Sequence, residues 1–440
     1  MKAQRRWCCL VGIFLTVTPA VWAQKLSGIE REEAQGMLKN IAGDVRKHYY
    51  DPKFHGVDWE ARVLETKNKI DNTATMNMAL SHIAALMDAL RDSHTFFVPP
   101  PRPYRHDYGY RAQMIGDHCY VTHVRPGTDA AAKGVKPGDE LLGLEGYAVN
   151  DGNFRKMQYV FGVLRPQPGV RLVLRSPSGE ERELEVMAKF RETKRIRDLA
   201  GRDADNEVWD WVRESESEEH SLRARYAELG DELMVLRLPA FYFDQTEVEG
   251  AIDIARKHKA LIIDLRGNPG GSVDSLRYLV GSMFENEVKV ADLVGRDGSK
   301  PQLSKYNYRR TFPGKLAVLV DRRSASAAEL FARVIQLQKR GTVIGDHTAG
   351  AVMESKRYSY QVGAGTIVLF GASITEADVL MTDGKSLENT GVAPDQIMLP
   401  TAAELAAGLD PVLAKAAQDL GGKLTPEEAG KLFEFEWPPD

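Results

Sequence analysis

The chain has 440 residues, of which 43% are hydrophobic and 27% are charged, and its formal net charge is −4 at pH 7. At roughly 150 residues per domain, this length suggests about three domains and allows a sizeable core. The nearly balanced charge excludes a general affinity for nucleic acid. No phosphate-binding P-loop and no zinc-binding signature occurs in the sequence.

The first 23 residues have the pattern of a secretory signal peptide. Basic residues Lys2, Arg5 and Arg6 precede a short apolar stretch, and Val21 and Ala23 occupy the small-residue positions of a cleavage site. An uncleaved membrane anchor is the alternative, but the apolar stretch is short for a membrane span. We therefore expect a periplasmic or secreted mature protein without a stable membrane span. Loss of the three basic residues would bring its net charge to about −7.

Hydrophobic periodicity divides the rest of the chain into segments of different kinds. Helical spacing dominates the N-terminal part, whereas apolar runs typical of buried strands alternate with helical patterns from Glu232 onward. This alternation favours an α/β core, and hence a multidomain α/β protein. The predicted boundaries are an N-terminal helical region at 25–103, a β-rich domain at 104–190, a charged linker or helix at 191–230, an α/β core at 231–400, and a C-terminal helical tail at 401–440.

The β-rich segment contains "AAAKGVKPGDELLGLEG", residues 130–146. A small helix, a glycine, a Pro-Gly-Asp turn and a strand in this order resemble a PDZ domain. The resemblance implies a groove between a helix and an edge strand that holds an extended peptide. A generic small β-barrel is the alternative.

Two serines, Ser324 and Ser326, lie between the apolar run "KLAVLV" and a predicted helix. A serine at a helix N-terminus is usually a cap. Here the neighbouring residues are small, so a substrate backbone can approach, and the helix N-terminus offers N–H groups to a developing oxyanion. The glycine loop "DLRGNPGGS" follows another buried strand and supplies further free amides.

Three motifs in order, "DLRGNPGG", "SASAAE" and "LENTGVAPD", resemble the C-terminal processing, or tail-specific, serine peptidase family. That family also has a PDZ domain ahead of an α/β core of the ClpP/crotonase-like type. The resemblance implies a serine-type peptidase that needs no cofactor or metal and acts on peptides or unfolded protein chains, with binding through their C-termini as one mode. It implies Ser326 rather than Ser324 as the nucleophile. The oxyanion hole would comprise N–H groups of Gly270 or Gly271 and of Ala327.

The resemblance breaks where many family members have a lysine that activates the serine. The corresponding stretch here is "GDHTAGAV", with Ala351 at the position of the lysine, and alanine accepts no proton. The tricorn core protease, a relative, uses a histidine held by a glutamate instead. Similarity to that branch implies His94 as the base, Glu388 as its orienting acid, and Ser93 as a supporting residue. Imidazole suits this role because its unperturbed pKa lies near neutrality.

Several alternatives stay open at this point. His347, Lys356 or Lys385 could act as the base in place of His94. An inactive peptide-binding or scaffold protein is a rival, and so is an apolar-ligand binder, because interphotoreceptor retinoid-binding protein shares the family's fold. A metal site at His118, Cys119 and His123 is disfavoured, since strand residues alternate in direction. Cys119 is the only cysteine outside the signal peptide, which excludes an internal disulfide.

Overall fold

The computed structural model of the chain describes residues 25–192, 223–305, 310–363 and 367–437. The predicted signal peptide at 1–23 and most of the predicted charged linker lie outside the described residues. Within the described ranges, no helix has both the length and the apolar character needed to cross a membrane. Helices alternate with strands of a largely parallel sheet, so the predicted α/β fold class is confirmed.

The helices and strands of the described residues are numbered in chain order. The α-helices are α1 Gly28–His48, α2 Trp59–Asp71, α3 Met76–Asp88, α4 Asp129–Ala132, α5 Phe154–Tyr159, α6 Gln245–Ala255, α7 Val273–Gly281, α8 Ala327–Leu337, α9 Ala402–Ala407, α10 Pro411–Asp419 and α11 Pro426–Leu432. The β-strands are β1 Phe96–Val98, β2 Tyr104–Asp107, β3 Tyr110–Ile115, β4 His118–Val124, β5 Glu140–Leu144, β6 Tyr147–Ala148, β7 Gly169–Arg175, β8 Glu181–Met187, β9 Lys189–Glu192, β10 Arg225–Leu229, β11 Leu233–Arg237, β12 Ala260–Asp264, β13 Lys289–Gly295, β14 Gly298–Leu303, β15 Lys315–Val320, β16 Thr342–Gly345, β17 Met353–Val362, β18 Val368–Leu380 and β19 Gln396–Ile397.

The central sheet has the strand order β10-β11-β12-β15-β16-β19, and its strands run parallel except for β10. Its four inner strands, β11, β12, β15 and β16, are largely apolar and buried, as a sheet covered by helices on both sides requires. Met234 and Leu236 pack with α6, α7 and α8, whereas Leu233 and Val235 face α10 and α11. β10 lies within the predicted linker, so the sheet begins before residue 231; pairing with β11 brings it into the core.

The N-terminal helices pack on the hairpin β17–β18 of the core. Ile41 of α1 and Ile83 of α3 share one buried cluster with Phe370 and Ile374 of β18. β1, which follows these helices, pairs antiparallel with β18 in a second sheet of order β1-β18-β13-β14, and β17 also pairs with β18. The segment just before β1 therefore lies beside the core.

Residues 110–187, called the β-rich unit below, form a sheet of order β3-β4-β5-β7-β8 with β6 on β5. The unit has its own buried cluster, to which α4 and α5 contribute. β3 is an edge strand of this sheet. Towards the core, the N–H of Gly116 donates to Asp346 Oδ2 at 2.7 Å and Gln113 Nε2 approaches Asp321 Oδ2 at 3.5 Å. The unit is thus docked close to the strand–helix junction that contains Ser326.

The segment 401–440, predicted as a C-terminal helical tail, contains α9, α10 and α11, and α11 ends at Leu432. Residues 433–437 have no helical structure, and their burial alternates. The three aromatic side chains at 433, 435 and 437 are half-buried, whereas Glu434 and Glu436 are exposed. Alternation with a period of two is typical of an extended segment lying on a surface, because successive side chains point to opposite sides. A helix would not place these three aromatic side chains on one side.

Candidate active site

Ser326 occupies a sharp turn between β15 and α8, with φ of +54° and ψ of −118°. A positive φ is unusual for a residue other than glycine, so surrounding contacts must hold this conformation. The N–H of Ser326 donates to Ala351 O at 2.9 Å and to Glu329 Oε2 at 3.0 Å. Its side chain is half-buried and forms a capping box with Glu329, and no described residue accepts a hydrogen bond from its hydroxyl. The hydroxyl is therefore available for reaction.

Ser324, the alternative serine, has a structural role. It is fully buried, and its Oγ donates to Leu265 O at 2.8 Å and accepts from the N–H of Asp321 at 3.0 Å. These bonds join the loop after β12 to the loop after β15. Ser324 therefore fixes the turn in which Ser326 is presented.

The glycine loop lies directly against Ser326, because β12 and β15 are parallel neighbours and their carboxyl ends meet. A Cβ atom on Gly270 would lie 2.6 Å from Ser326 Cβ, so only glycine leaves room here. The N–H of Gly270 donates to Asn268 Oδ1 at 2.8 Å. By contrast, the N–H groups of Gly271 and Ala327 have no acceptor among the described residues. These two amides are the free donors beside Ser326.

Glu329, which the sequence analysis missed, lies beneath the turn and is fully buried. Besides the N–H of Ser326, its carboxylate accepts from Thr348 Oγ1 at 2.5 Å and from the N–H groups of Gly350 and Ala351 at 2.8 and 2.9 Å. Burial raises its pKa, and these hydrogen bonds act in the opposite direction. Glu329 thus ties the nucleophile turn to residues 348–351.

Ser93, His94 and Glu388 come together although they are distant in sequence. His94 Nδ1 lies 2.7 Å from Ser93 Oγ, and Ser93 Oγ donates to Glu388 Oε2 at 2.8 Å. The N–H of Ser93 also donates to Glu388 Oε1 at 2.7 Å. The sequence led us to expect that Glu388 would contact the imidazole directly. Instead, the hydroxyl of Ser93 lies between them. Because that hydroxyl donates its own proton to the hydrogen bond with the carboxylate, its oxygen can accept a hydrogen bond from Nδ1–H.

Residues 350–352 connect this relay to Ser326. The N–H of Val352 donates to Glu388 Oε2 at 2.8 Å, while the preceding two N–H groups bind Glu329. Ala351, at the position of the missing lysine, is fully buried and contributes only its backbone. Its neighbours therefore place the nucleophile turn and the His94 relay side by side. No hydrogen bond joins His94 to Ser326 Oγ in the described part of the chain.

Asp92 holds the short loop that carries His94. Its Oδ1 accepts from the N–H groups of His94 and Thr95 at 3.0 and 2.7 Å and from Thr375 Oγ1 of β18 at 2.7 Å. Burial and the charges of two arginines, Arg155 and Arg357, lower the pKa of His94 to about 4, against a smaller opposing effect of Asp92. The imidazole is therefore neutral at pH 7, as a general base must be.

Burial also raises the pKa of Glu388, although the N–H of Val352 and both polar groups of Ser93 donate to its carboxylate and lower it. An ionised carboxylate, which has only acceptor oxygens, can accept hydrogen bonds from all three of these donors, whereas a carboxylic acid carries a donor of its own. The direction of the shift reflects the loss of solvent around the charged form.

The alternative bases lie away from these contacts. His347 is partly exposed, with Nδ1 3.9 Å from Asp346 Oδ1, and Lys356 and Lys385 are exposed. None of the three has a hydrogen bond to Ser326 among the described residues.

The residues of the disfavoured metal site point to different partners. His118 Nδ1 lies 2.6 Å from Glu140 Oε1, Cys119 is buried in the β-rich unit, and the ring of His123 stacks on Phe435. Burial raises the pKa of the Cys119 thiol, which opposes formation of a thiolate ligand.

The chain is similar in sequence to known peptidases. Residues 232–398 match the model of peptidase family S41, and residues 30–75 match that of the tricorn protease C1 domain. A tail-specific protease of Haemophilus influenzae is 24% identical over 330 residues, which are 69% of this chain and 43% of the relative. A carboxyl-terminal-processing peptidase 3 of Arabidopsis thaliana, described as chloroplastic, is 22% identical over 82% of this chain and 68% of its own length.

Solved structures show the same fold. Mature CPAF complexed with lactacystin superposes with a TM-score of 0.62 at 17% identity, covering 86% of this chain and 96% of that one. The photosystem II D1 C-terminal processing protease gives a TM-score of 0.53 at 18% identity, covering 90% and 99% of the two chains.

These matches are to proteases, including a tail-specific protease and a carboxyl-terminal-processing peptidase. More specifically, residues 232–398 are similar to peptidase family S41, and residues 30–75 are similar to the tricorn C1 domain. The chain spans less than half the length of the Haemophilus influenzae relative.

Proposed function

We propose that the mature chain is a serine endopeptidase that cleaves peptides or unfolded protein chains through Ser326, His94 and Glu388. The observation that carries this proposal is the hydrogen-bonded series His94 Nδ1, Ser93 Oγ and Glu388 Oε2 next to the strained turn of Ser326. A nucleophile, a base and a group that orients the base are the parts that such a reaction needs.

The relay selects the reactive tautomer of His94. With Nδ1–H donating to Ser93 Oγ, the lone pair resides on Nε2. Nε2 takes the proton from Ser326 Oγ as the oxygen bonds to the scissile carbonyl carbon, and the imidazolium then gives that proton to the leaving amine. In the second half of the reaction, Nε2 takes a proton from water as the water oxygen bonds to the acyl carbon. The imidazolium then returns that proton to Ser326 Oγ as the ester bond breaks. Substrate binding must bring Ser326 and His94 within hydrogen-bond reach, as in other enzymes whose apo sites are looser than their complexes.

The oxyanion of the tetrahedral intermediate is stabilised by the N–H groups of Gly271 and Ala327. Both are free of acceptors among the described residues, whereas Asn268 engages the N–H of Gly270. Each donor contributes about 3 kcal/mol to transition-state stabilisation. Gly270 then leaves space for Ser326, whereas the N–H of Gly271 donates a hydrogen bond to the oxyanion.

The β-rich unit is a PDZ domain that presents substrate chains, including their C-termini. Support comes from β3, which is an edge strand with unpaired backbone groups, and from α5, the helix of the same unit. An extended peptide can add to such an edge as a further strand. The charge of Arg155 on α5 contributes to lowering the pKa of His94, so this helix lies near the reacting groups. The N-terminal sequence supports export to the periplasm or out of the cell.

The test compares the mature protein with its Ser326→Ala, His94→Ala and His347→Ala variants. Each is treated with a fluorophosphonate that labels activated serines and with an unfolded casein substrate. We expect wild type and His347→Ala to be labelled and active, and the Ser326 and His94 variants to lose both properties. Retained labelling in His94→Ala would refute the role of His94, and loss in His347→Ala would move the base there.

The same samples separate the rival functions. A wild-type protein that is neither labelled nor active, but binds unfolded peptides, would be a scaffold with an inactive site. Tight binding of a fluorescent fatty acid that persists in Ser326→Ala, without cleavage, would indicate an apolar-ligand binder.

A further inference from the structure

The chain's own C-terminal segment lies on the β-rich unit. The ring of Phe435 stacks on His123 with centroids 4.1 Å apart, and the guanidinium groups of Arg111 and Arg125 lie 4.8 and 5.7 Å from the ring of Trp437. Phe435 and Trp437 also contact each other edge to face at 5.0 Å. Stacking and cation–π contacts of this kind are attractive, so the segment is held by specific side chains.

These side chains occupy one face of β3 and β4. Arg111 pairs with His123 across the two strands, and Gln113, two residues along β3, shares the face of Arg111. The intervening Ala112 and Met114 point into the buried cluster of the β-rich unit. Since Gln113 approaches Asp321, this outer face is the one that turns towards the core.

The same segment also binds the core. The guanidinium of Arg225 on β10 donates to Glu434 O and to Glu436 Oε1, both at 3.2 Å. Arg225 and Arg237 lie 5.7 and 6.0 Å from the ring of Phe433. Residues 433–437 therefore contact the β-rich unit and the core at the same time. Their aromatic rings face the protein, and their acidic side chains are exposed.

We propose that the outer face of β3–β4, together with Arg225 and Arg237, is a binding site for an extended segment with an aromatic residue at every second position. Its resident ligand is the chain's own segment 433–437. Because this segment contacts both the β-rich unit and the core, it acts as a latch, that is, it holds the β-rich unit in place beside the Ser326 turn. The inference rests on contacts alone and does not depend on the proposed peptidase activity.

The binding site is tested with a fluorescent peptide of residues 431–437 added to full-length protein. A tethered segment has an effective concentration in the millimolar range and excludes added peptide. We therefore expect no binding to wild type or to Glu434→Ala, whose altered side chain is exposed, and saturable binding to the Phe435→Ala/Trp437→Ala variant. Adding Arg111→Ala to that variant should weaken binding about tenfold, whereas adding Arg171→Ala, on β7 of the same unit, should not.

Two outcomes would overturn the site. One is equal peptide binding by wild type and the Phe435→Ala/Trp437→Ala variant, which would mean that the face is not occupied by the tail. The other is no binding by that variant, provided circular dichroism shows it folded.

The latch is tested separately by hydrogen exchange at Gly116, whose N–H donates across the interface to Asp346. We expect this amide to exchange at least about tenfold faster in Phe435→Ala/Trp437→Ala, which is a loss of about 1.4 kcal/mol of protection. It should be unchanged in Glu434→Ala. Faster exchange confined to residues 433–437, with Gly116 unaffected, would show that the tail binds without seating the unit.

Discussion

Replacing Gly270 with alanine should disable the site and destabilise the fold, whereas the same change at Gly267 should do neither to a comparable extent. Both glycines have positive φ, +98° and +76°, so alanine is strained at each by about 1–2 kcal/mol. At Gly267 nothing lies within 4 Å of the new Cβ. At Gly270 the Cβ would meet Ser326 Cβ at 2.6 Å, Ala325 O at 2.9 Å and Ala327 N at 3.0 Å.

Carbon atoms in contact prefer about 3.5–4.0 Å, so Ser326 must move by roughly 1 Å to accept the methyl group. Overpacking of this kind costs about 1–3 kcal/mol beyond the strain shared with Gly267→Ala. A displacement of about 1 Å at reacting atoms also lowers the rate about 10²-fold.

Urea unfolding measures the first effect and the rate of fluorophosphonate labelling of Ser326 measures the second. Equal stability and labelling in the two variants would refute the reasoning, because the contact with Ser326 is what distinguishes the two positions.

Four further predictions concern the relay and its support. Ser93→Ala should lower kcat about 10²-fold with KM little changed, since the link from Nδ1 to Glu388 is lost, and Ser93→Thr should recover part of it; equal kcat in both variants would contradict the relay. The labelling rate of Ser326 should show no midpoint near pH 6.5, because burial lowers the pKa of His94 to about 4 and the imidazole stays neutral there; a midpoint at 6.5 would show an unburied base. Because the unfolded imidazole binds its proton first, near pH 6.5, this residue's contribution to stability should be complete above that pH and decrease as pH falls towards 4. Glu329→Gln should reduce the free energy of unfolding in urea by about 2–5 kcal/mol, since an amide NH₂ leaves two of the four donors unpaired; a change below about 1 kcal/mol would argue against that bonding.

Much of the fold was predictable because each strand and helix has a strong local pattern. The runs at β11, β12 and β15 are apolar throughout, and glycines or small residues follow β12 and β15. Parallel strands bring their carboxyl ends together, so the proximity of Gly270 to Ser326 follows from pattern and topology. After Leu432, the alternation of aromatic and acidic residues is a strand-like pattern that favours extended backbone, and residues 433–437 have no helical structure.

The supporting groups were less accessible to sequence reasoning. Glu329 stands three residues after Ser326, a spacing that by itself predicts an ordinary capping box. Its bonds to residues 348–351 depend on how a distant loop folds back, and no local signal reports that. The depressed pKa of His94 likewise arises from burial and from Arg155 and Arg357, which are far from it in sequence. The assignments of Ser326, His94 and Glu388 themselves remain predictions.

The pairing of β1 with β18 has a consequence for when the chain can become reactive. Phe96 faces Ser373, and Thr375 binds the Asp92 loop, so His94 is positioned by a strand that is synthesised long after it. Contacts so distant in sequence close late, because their loop-closure entropy must first be offset by other structure. A nascent chain that lacks β18 has Ser326 but not the strand that holds the loop of His94. The order of the sequence itself therefore delays assembly of the proposed active site until β18 has been made and has paired with β1.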